Sequence, residues 1–568
     1  MQDTQKIEAL LAKIYGPGGG EAAWQKLRPV LEKYPRLPAG RQGYFGREDV
    51  MLITYGDSLL RQGEPPLETL GSFAREHLGG VFSAVHILPF FPYSSDDGFS
   101  VIDYKEVDPG LGTWEEVRKI SGDFALMFDL VLNHISARSP WFASYLAAEP
   151  GFGDLAIEVA PGTDLSRVVR PRALPLLTGF TKKSGELVSL WTTFSADQVD
   201  LNFGSPDVLA RMVDVLLFYV HQGASYIRLD AIAYLWKKIG TSCIHLPETH
   251  QVVRLFRLIL DLEAPGVVII TETNVPHREN ISYFGDGADE AQMVYNFTLP
   301  PLLLYTFINQ DATLLSSWAG SLQPVSDRTT FFNFTASHDG IGVRPLEGIM
   351  PQSEIETLAE AVRRNGGMVS CRRNPDGTES PYELNVSYVD ALRNTGPDGR
   401  DSLLAERFLA SQSVPLVLPG MPAVYIHSIL GSRNWSEGVR RTGRARTINR
   451  EKLQADEVLS LLADPGSFRA RVFHPYCRLI RTRAVQEAFH PRAACSILHA
   501  GPQVFAVKRE AAGQAIYALT NVSASAADVN LPASGIPGGL TDLVSGRRAV
   551  PDLLELAPYQ VAWLSSVP

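Results

Sequence analysis

Eight short apolar runs recur from residue 50 onward, each followed by a loop and then a helical pattern: Val50 to Tyr55, Ala84 to Leu88, Ala125 to Leu130, Tyr226 to Leu229, Val267 to Thr271, Met293 to Phe297, Thr330 to Phe334 and Ala423 to Ile426. Near-continuous apolar strands that alternate with helices require a sheet covered on both faces, which defines an α/β fold. Eight such strands favour a closed (β/α)8 TIM barrel, with the open doubly wound sheet as the alternative that periodicity leaves standing. Two intervals, about 135–200 after the third strand and about 340–394 after the seventh, exceed ordinary barrel loops and are expected to be inserted subdomains.

The ends of the chain have a different character. Ile7, Leu10, Leu11, Ile14 and Tyr15 repeat at helical spacing until Gly16-Pro17-Gly18, and a second helical stretch follows around Trp24 to Tyr34. The Pro/Gly-rich segment Pro35 to Gly43 reads as a linker, so residues 1–46 are expected to form a helical extension ahead of a barrel spanning 47–484. Alternating runs such as Val504-Phe505-Ala506-Val507, Ala515 to Leu519 and Gln560 to Leu564 point to a small all-β C-terminal domain over 485–568.

Charge and cysteine usage narrow the class of function. A net charge of −10 repels polyanions and anionic membrane surfaces, so neither nucleic acid nor membrane is an expected partner. Cys243, Cys371, Cys477 and Cys495 lie far apart without a CxxC pair, which suggests neither a zinc site nor a disulfide framework. Met1 to Ala12 lacks the pattern of a signal peptide and no long apolar run follows, so a soluble cytoplasmic protein is expected.

In a barrel the chemistry sits where strands end at the C-terminal face, and here those ends are acidic. The third run leads from Asp129 to Asn133-His134, the fourth ends Arg228-Leu229-Asp230-Ala231, the fifth ends in Glu272, and the seventh leads to Ser337-His338-Asp339-Gly340. Taken singly, an acid after a strand is ordinarily a helix cap or a surface charge, and Asp-Gly is usually a turn. Taken together, Asp230, Glu272 and Asp339 would converge on one rim. Arg228 shares a strand face with Asp230, so its guanidinium can hold that carboxylate ionised and aimed. Paired carboxylates suit glycoside chemistry, in which one attacks the anomeric carbon and the other moves a proton on the leaving and entering oxygens.

Asp129-Leu-Val-Leu-Asn133-His134, Arg228-Leu-Asp230-Ala231, Glu272 and Ser337-His338-Asp339 resemble the four short regions of the alpha-amylase superfamily in the family's order, and Gln198-Val-Asp200-Leu-Asn202 resembles its additional region. The resemblance implies the barrel, a subdomain after the third strand, a C-terminal β-sandwich, and a retaining double displacement. In that scheme Asp230 is the nucleophile, Glu272 the acid/base and Asp339 the transition-state stabiliser. Leu52-Ile-Thr-Tyr-Gly-Asp57, His86-Ile-Leu-Pro-Phe-Phe91, Ser95-Asp-Asp-Gly-Phe99, Arg170-Pro-Arg172 and His338-Asp-Gly-Ile-Gly342 are similar to the sucrose phosphorylase group, which transfers glucose to phosphate. By that similarity Asp96, His134, Arg228, His338 and Arg450 bind the glucosyl unit, Phe99 is a hydrophobic platform, and Arg172 is the candidate for phosphate. On residue type alone, Arg170 and Arg172 could be solvated surface charges, and His134 and His338 could be packed core histidines.

The acceptor loop separates the members of that group. Where sucrose phosphorylases carry Asp and Gln, this chain has Ser380 and Glu383 in the segment Ser380-Pro-Tyr382-Glu383-Leu-Asn385, so the fructose contacts are altered. That loop, Arg172-Ala-Leu-Pro-Leu-Leu177, Trp191-Thr-Thr-Phe-Ser195 and Glu272-Thr-Asn-Val-Pro-His277 are similar to the glucosylglycerate phosphorylase group over essentially the whole chain. The resemblance implies conversion of 2-O-α-D-glucosyl-D-glycerate and phosphate into α-D-glucose 1-phosphate and D-glycerate, with Arg172, Tyr382, Glu383 and Asn385 on the phosphate or acceptor side. Sucrose or sucrose 6-phosphate phosphorylase, a glucosylglycerol-active relative and an α-glucosidase are the alternatives. A non-catalytic amylase-like transporter subunit would need a membrane segment and lost carboxylates. No organic cofactor is expected, and no metal, although Asn133 matches a calcium-ligand position of many amylases.

Overall fold

The computed structural model describes residues 2–38, 43–171, 174–323, 325–373, 378–394 and 401–566, and at its centre eight parallel strands close on themselves. They are β1 (Met51–Thr54), β2 (Ala84–Ile87), β3 (Ala125–Leu130), β4 (Ala224–Leu229), β5 (Val268–Thr271), β6 (Met293–Tyr295), β7 (Thr330–Phe334) and β8 (Met421–Tyr425). Met51 pairs with Ala84 on one side and Ala423 on the other, so β8 returns to β1 and the open-sheet alternative falls away. Every residue of β1, β2 and β5 to β8 is buried, because the inner face fills the barrel and the outer face is covered by helices.

All eight strands coincide with the apolar runs, and the differences are at their ends. Strand β8 starts two residues earlier than expected because Pro422 is accommodated at the strand's beginning, where a missing N–H costs least. Strand β6 stops at Tyr295 because the chain turns there, Phe297 N–H donating to Tyr295 O at 3.0 Å.

The long segment after β3 is tied down at both ends: His134–Ser136 pairs antiparallel with Gln198–Asp200, and Leu177–Thr181 forms a hairpin with Leu187–Trp191. After β7, Glu379–Asn385 lies between Ile341–Gly342 and Met368–Arg373 in a three-stranded antiparallel sheet that places Glu383 opposite Gly342. Both structures rise from the C-terminal rim and wall the space above the barrel.

At the N-terminus the two expected helices are continuous except for a break at Gly16, whose φ of 77° is left-handed, and the second begins at once rather than near Trp24. They pack against the helices Pro206–His221 and Pro247–Glu263, and Tyr15 Oη donates to Phe203 O at 2.9 Å. The C-terminal residues form a five-stranded antiparallel sheet and a two-stranded ladder of Ala527–Asn530 with Leu553–Leu556. Strand period 2 divides its faces: Phe505 and Val507 join the main core, whereas Val504 and Ala506 form a second core with Leu554 and Leu564. Among the described residues no helix is long and apolar enough to cross a membrane.

Candidate active site

Asp129 and Arg228 lie opposite each other in the β3–β4 register, and both side chains point into the barrel. Arg228 donates to Asp129, and through Nη1 it donates to Asp230 Oδ1 at 2.8 Å; its Nη2 lies 3.8 Å from Glu272 Oε2. One guanidinium therefore gathers carboxylates from the ends of β3, β4 and β5. His86 on β2 holds the other Asp129 oxygen at 2.7 Å. Burial alone would raise Asp129, but Arg228 and His86 hold it down at about 2. Ala231, just past Asp230, takes a left-handed φ of 49°, and its N–H donates to Glu272 Oε2 at 3.0 Å. A non-glycine residue in that region costs about 1 kcal/mol or more, a local strain spent on orienting the second acid.

The third acid is held from another side. Arg446 Nη1 lies 2.5 Å from Asp339 Oδ1, and Arg450 Nη2 is 3.6 Å from the same oxygen. Burial opposes ionisation of Asp339, yet Arg446, His338 and Arg450 hold it well below the usual carboxylate range. Asp230 and Glu272 go the other way. Burial, then the neighbouring carboxylates, push both up against the pull of Arg228. Asp230 accepts from the guanidinium at 2.8 Å while Glu272 stands 3.8 Å from it, so the proton the pair retains is better placed on Glu272.

The loop Ser95 to Phe99 contributes Asp96 and Phe99 to the pocket wall. Asp96 and Asp97 have φ of 54° and 48°, and Gly98 follows at 109°. A Cβ on Gly98 would stand 2.6 Å from Pro89 O, so only glycine fits. Phe99 stacks on His338 at 4.8 Å with the rings within 6° of parallel, a flat apolar wall of the kind a sugar ring packs on. Arg450 fastens the loop by pairing with Asp97 and donates through Nε to His338 O at 2.7 Å. His134 lines the pocket with its ring nitrogens engaged: Nε2 lies 2.8 Å from Phe99 O and 3.0 Å from Gln198 Nε2, and Nδ1 is 3.3 Å from Asn133 Nδ2. These contacts fix the orientation of the ring at the pocket wall.

Together Asp96, Phe99, His134, Arg228, His338 and the three rim acids border a pocket of about 820 Å³, its open mouth included. Tyr382 and Glu383 reach it from the three-stranded sheet. Asn385 does not: two residues further along the strand it has passed beneath Gly340 and donates to Ser370 Oγ at 3.0 Å. Arg450 acts from behind, facing an outer vestibule. Arg172 lies outside the described residues. Glu383 is nearly buried, accepts from Gly340 N–H at 3.1 Å, and is clamped by Arg446 at 2.8 and 3.2 Å. Its charge is thus compensated within the wall. Gly340 permits that approach, since a Cβ there would stand 2.6 Å from Glu383 Cγ.

Sequence reasoning passed over Arg446, Tyr234 and Asn274, all of which line the pocket. Tyr234 and Asn274 follow Asp230 and Glu272 by four and two residues, a proximity to strand ends that could have marked them. Arg446 lies four residues before Arg450 in a 3-10 turn, and no spacing rule on its own ties it to Asp339. The calcium-ligand position at Asn133 has a different occupant: Lys237 Nζ lies 2.6 Å from Asn133 Oδ1 and 2.5 Å from Asp200 Oδ2. Among the described residues no group of three His, Cys, Asp or Glu side chains is arranged to hold a metal ion.

Residues 77–320 match the alpha amylase catalytic-domain family. The glucosylglycerate phosphorylase of Spirochaeta thermophila is 49% identical across 100% of this chain and 99% of its own length. The chain belongs to the glucosylglycerate phosphorylase family. That of Escherichia coli is 47% identical over 99% of this chain and 100% of its own. Among solved structures, the sucrose 6F-phosphate phosphorylase of Thermoanaerobacter thermosaccharolyticum superposes with a TM-score of 0.72 at 27% identity, covering 84% of this chain and 94% of its own. The glucosylglycerate phosphorylase family thus accounts for the whole chain, both ends included.

Proposed function

We propose that the chain is a retaining glycoside phosphorylase that interconverts 2-O-α-D-glucosyl-D-glycerate plus phosphate and α-D-glucose 1-phosphate plus D-glycerate. What carries the mechanism is the arrangement around Arg228, with one carboxylate firmly paired to it and a second, less strongly stabilised, beside it. The acceptor rests on the relatives' name and full-length identity.

In the first step an Asp230 oxygen bonds to the anomeric carbon as its bond to the glycerate oxygen breaks, and Glu272 gives its proton to that oxygen. Asp339, held ionised by Arg446, opposes the positive charge that develops on the sugar ring. In the second step a phosphate oxygen attacks the same carbon from the vacated side, the bond to Asp230 breaks, and Glu272 takes up a proton. Two inversions preserve the α-configuration. Arg172 is assigned to phosphate by its sequence match, because a guanidinium suits phosphate oxygens and the Glu272 carboxylate left by the first step repels an anion. Four dispersed cysteines fit a cytoplasmic setting.

The test is release of glucose 1-phosphate from glucosylglycerate and, in parallel, from sucrose, with and without inorganic phosphate. Phosphate-dependent product from glucosylglycerate is the expected result. Product from sucrose alone would overturn the acceptor, and free glucose independent of phosphate would make the enzyme a hydrolase.

A further inference from the structure

An anionic acceptor needs a cation whose charge is not already spent, and most guanidiniums around the pocket are engaged. Arg228 is held by Asp129 and Asp230, Arg446 by Asp339 and Glu383, and Arg450 by Asp97. Arg344 differs. It follows Asp339 by five residues, in the short 3-10 turn Arg344–Leu346, and among the described residues no carboxylate lies within ion-pair distance of it. Its Nε is buried without a hydrogen-bond partner. Leaving a half-buried charge in that state is costly, which points to a partner that arrives from outside.

The surroundings say from where. The Arg344 side chain lies against the Tyr234 hydroxyl, and Tyr234 forms part of the pocket wall. Val343 N–H donates to Tyr382 O at 3.1 Å, which fixes this segment beside a second wall residue. Asn274 completes the group: it lines the pocket, and its Oδ1 is buried without a partner. Tyr234 and Asn274 line the pocket together with Glu272, whose carboxylate acts on the Tyr234 phenol, and Gly342, two residues before Arg344, packs against Asn274, so this wall stands beside Glu272, where the leaving oxygen must be protonated. A group attached to that oxygen meets the Tyr234 phenol and the Asn274 amide on the pocket wall, with the Arg344 guanidinium next to the phenol.

We infer that Arg344 is a specificity-determining residue that receives the acceptor's carboxylate, with Asn274 accepting from an acceptor hydroxyl. This rests on the proposed phosphorylase reading and deepens it: the site selects a small hydroxy-carboxylate over a neutral polyol of the same size. A guanidinium matches a carboxylate bidentately, whereas an ammonium contacts it as a point charge.

The test uses the full chain in the synthetic direction, with glucose 1-phosphate as donor and either D-glycerate or glycerol as acceptor, for wild type, Arg344→Gln and Arg344→Lys. Loss of one charge-assisted contact predicts that Arg344→Gln raises KM for glycerate about 10- to 100-fold. Its KM for glucose 1-phosphate and its rate with glycerol should stay within about threefold of wild type, the scale of context effects rather than of a lost charge contact. Arg344→Lys should recover part of the glycerate affinity. Equal losses with glycerate and glycerol would make the residue structural and overturn the inference, as would an unchanged KM for glycerate. A rise confined to the KM for glucose 1-phosphate would also overturn it, by giving the cation to phosphate. A wild-type enzyme that transfers glucose to other acceptors but not to glycerate would refute the functional reading itself, a result separable from any behaviour of the variants.

Discussion

Arg446 is the residue whose removal best separates stability from catalysis. It stands 2.5 Å from Asp339 and 2.8 Å from Glu383, and all three side chains are largely buried. At an effective dielectric constant of about 20, each contact is worth roughly 6 to 7 kcal/mol of gross attraction, most of which desolvation of the charges offsets. The net worth of the triad is therefore small, but removing the cation alone strands two acids. Arg446→Met should cost about 3 to 5 kcal/mol, the usual effect of breaking a buried pair from one side. The double variant Arg446→Met with Glu383→Gln should recover at least half of that loss, because the neutral amide can still accept from Gly340 N–H. Catalysis should not recover with it. Asp339 would keep Arg450 at 3.6 Å and His338 at 3.5 Å but lose its closest cation, and a fall of about 100-fold in kcat/KM, or about 2.7 kcal/mol, is expected in both variants. Arg446 also lowers Glu272, so losing it lifts the acid's pKa and moves the alkaline limb of the pH–rate profile upward. Equilibrium denaturation and phosphorolysis rates across pH are the assays. A double variant as unstable as the single one, or an alkaline limb that stays put, would refute this account of the triad.

Other residues give sharper single outcomes. Asp230→Asn should lower turnover by about 10⁴-fold or more, yet stabilise the fold by about 1 kcal/mol, because it removes a buried charge repelled by Glu272 and Asp129; thermal melts beside activity assays check both halves. Glu272 is raised by burial, so its proton persists above the ordinary carboxylate range and the rate should fall as pH rises through that raised value; Glu272→Gln should abolish this limb while retaining reaction with glucosyl fluoride, whose leaving group needs no proton. Asp129 has the opposite linkage: its folded pKa of about 2 lies below the unfolded value, so it stabilises the fold above about pH 4, by on the order of 2 kcal/mol, and this is lost as pH falls toward 2, which acid titration of unfolding in Asp129→Asn against wild type would measure. Lys237→Met should destabilise by about 3 kcal/mol, at the lower end for a buried pair because Thr193 N–H, Thr193 Oγ1 and Asn133 Nδ2 still donate to Asp200, and denaturant midpoints would show it.

The amino-acid order by itself determined the barrel, its eight strands and the acids at their ends. These are written locally: a strand buried on both faces must be an apolar run, and a polar residue that ends such a run must emerge at the rim. The altered residues at Ser380 and Glu383 were equally legible as departures at an acceptor loop. Tertiary structure alone decided what compensates Glu383, because its partner Arg446 is 63 residues away and reaches it only across the folded rim. It likewise decided that Asn385 lies beneath Gly340 rather than in the pocket, that His134 is locked by Phe99 and Gln198, and that Lys237 occupies the position beside Asn133. Charge pairing depends on distances of a few ångströms between segments far apart in the chain, whereas period and sign are carried by neighbours. For that reason the identities of the acids could be read from the sequence, and the balance of charge that sets their protonation could not.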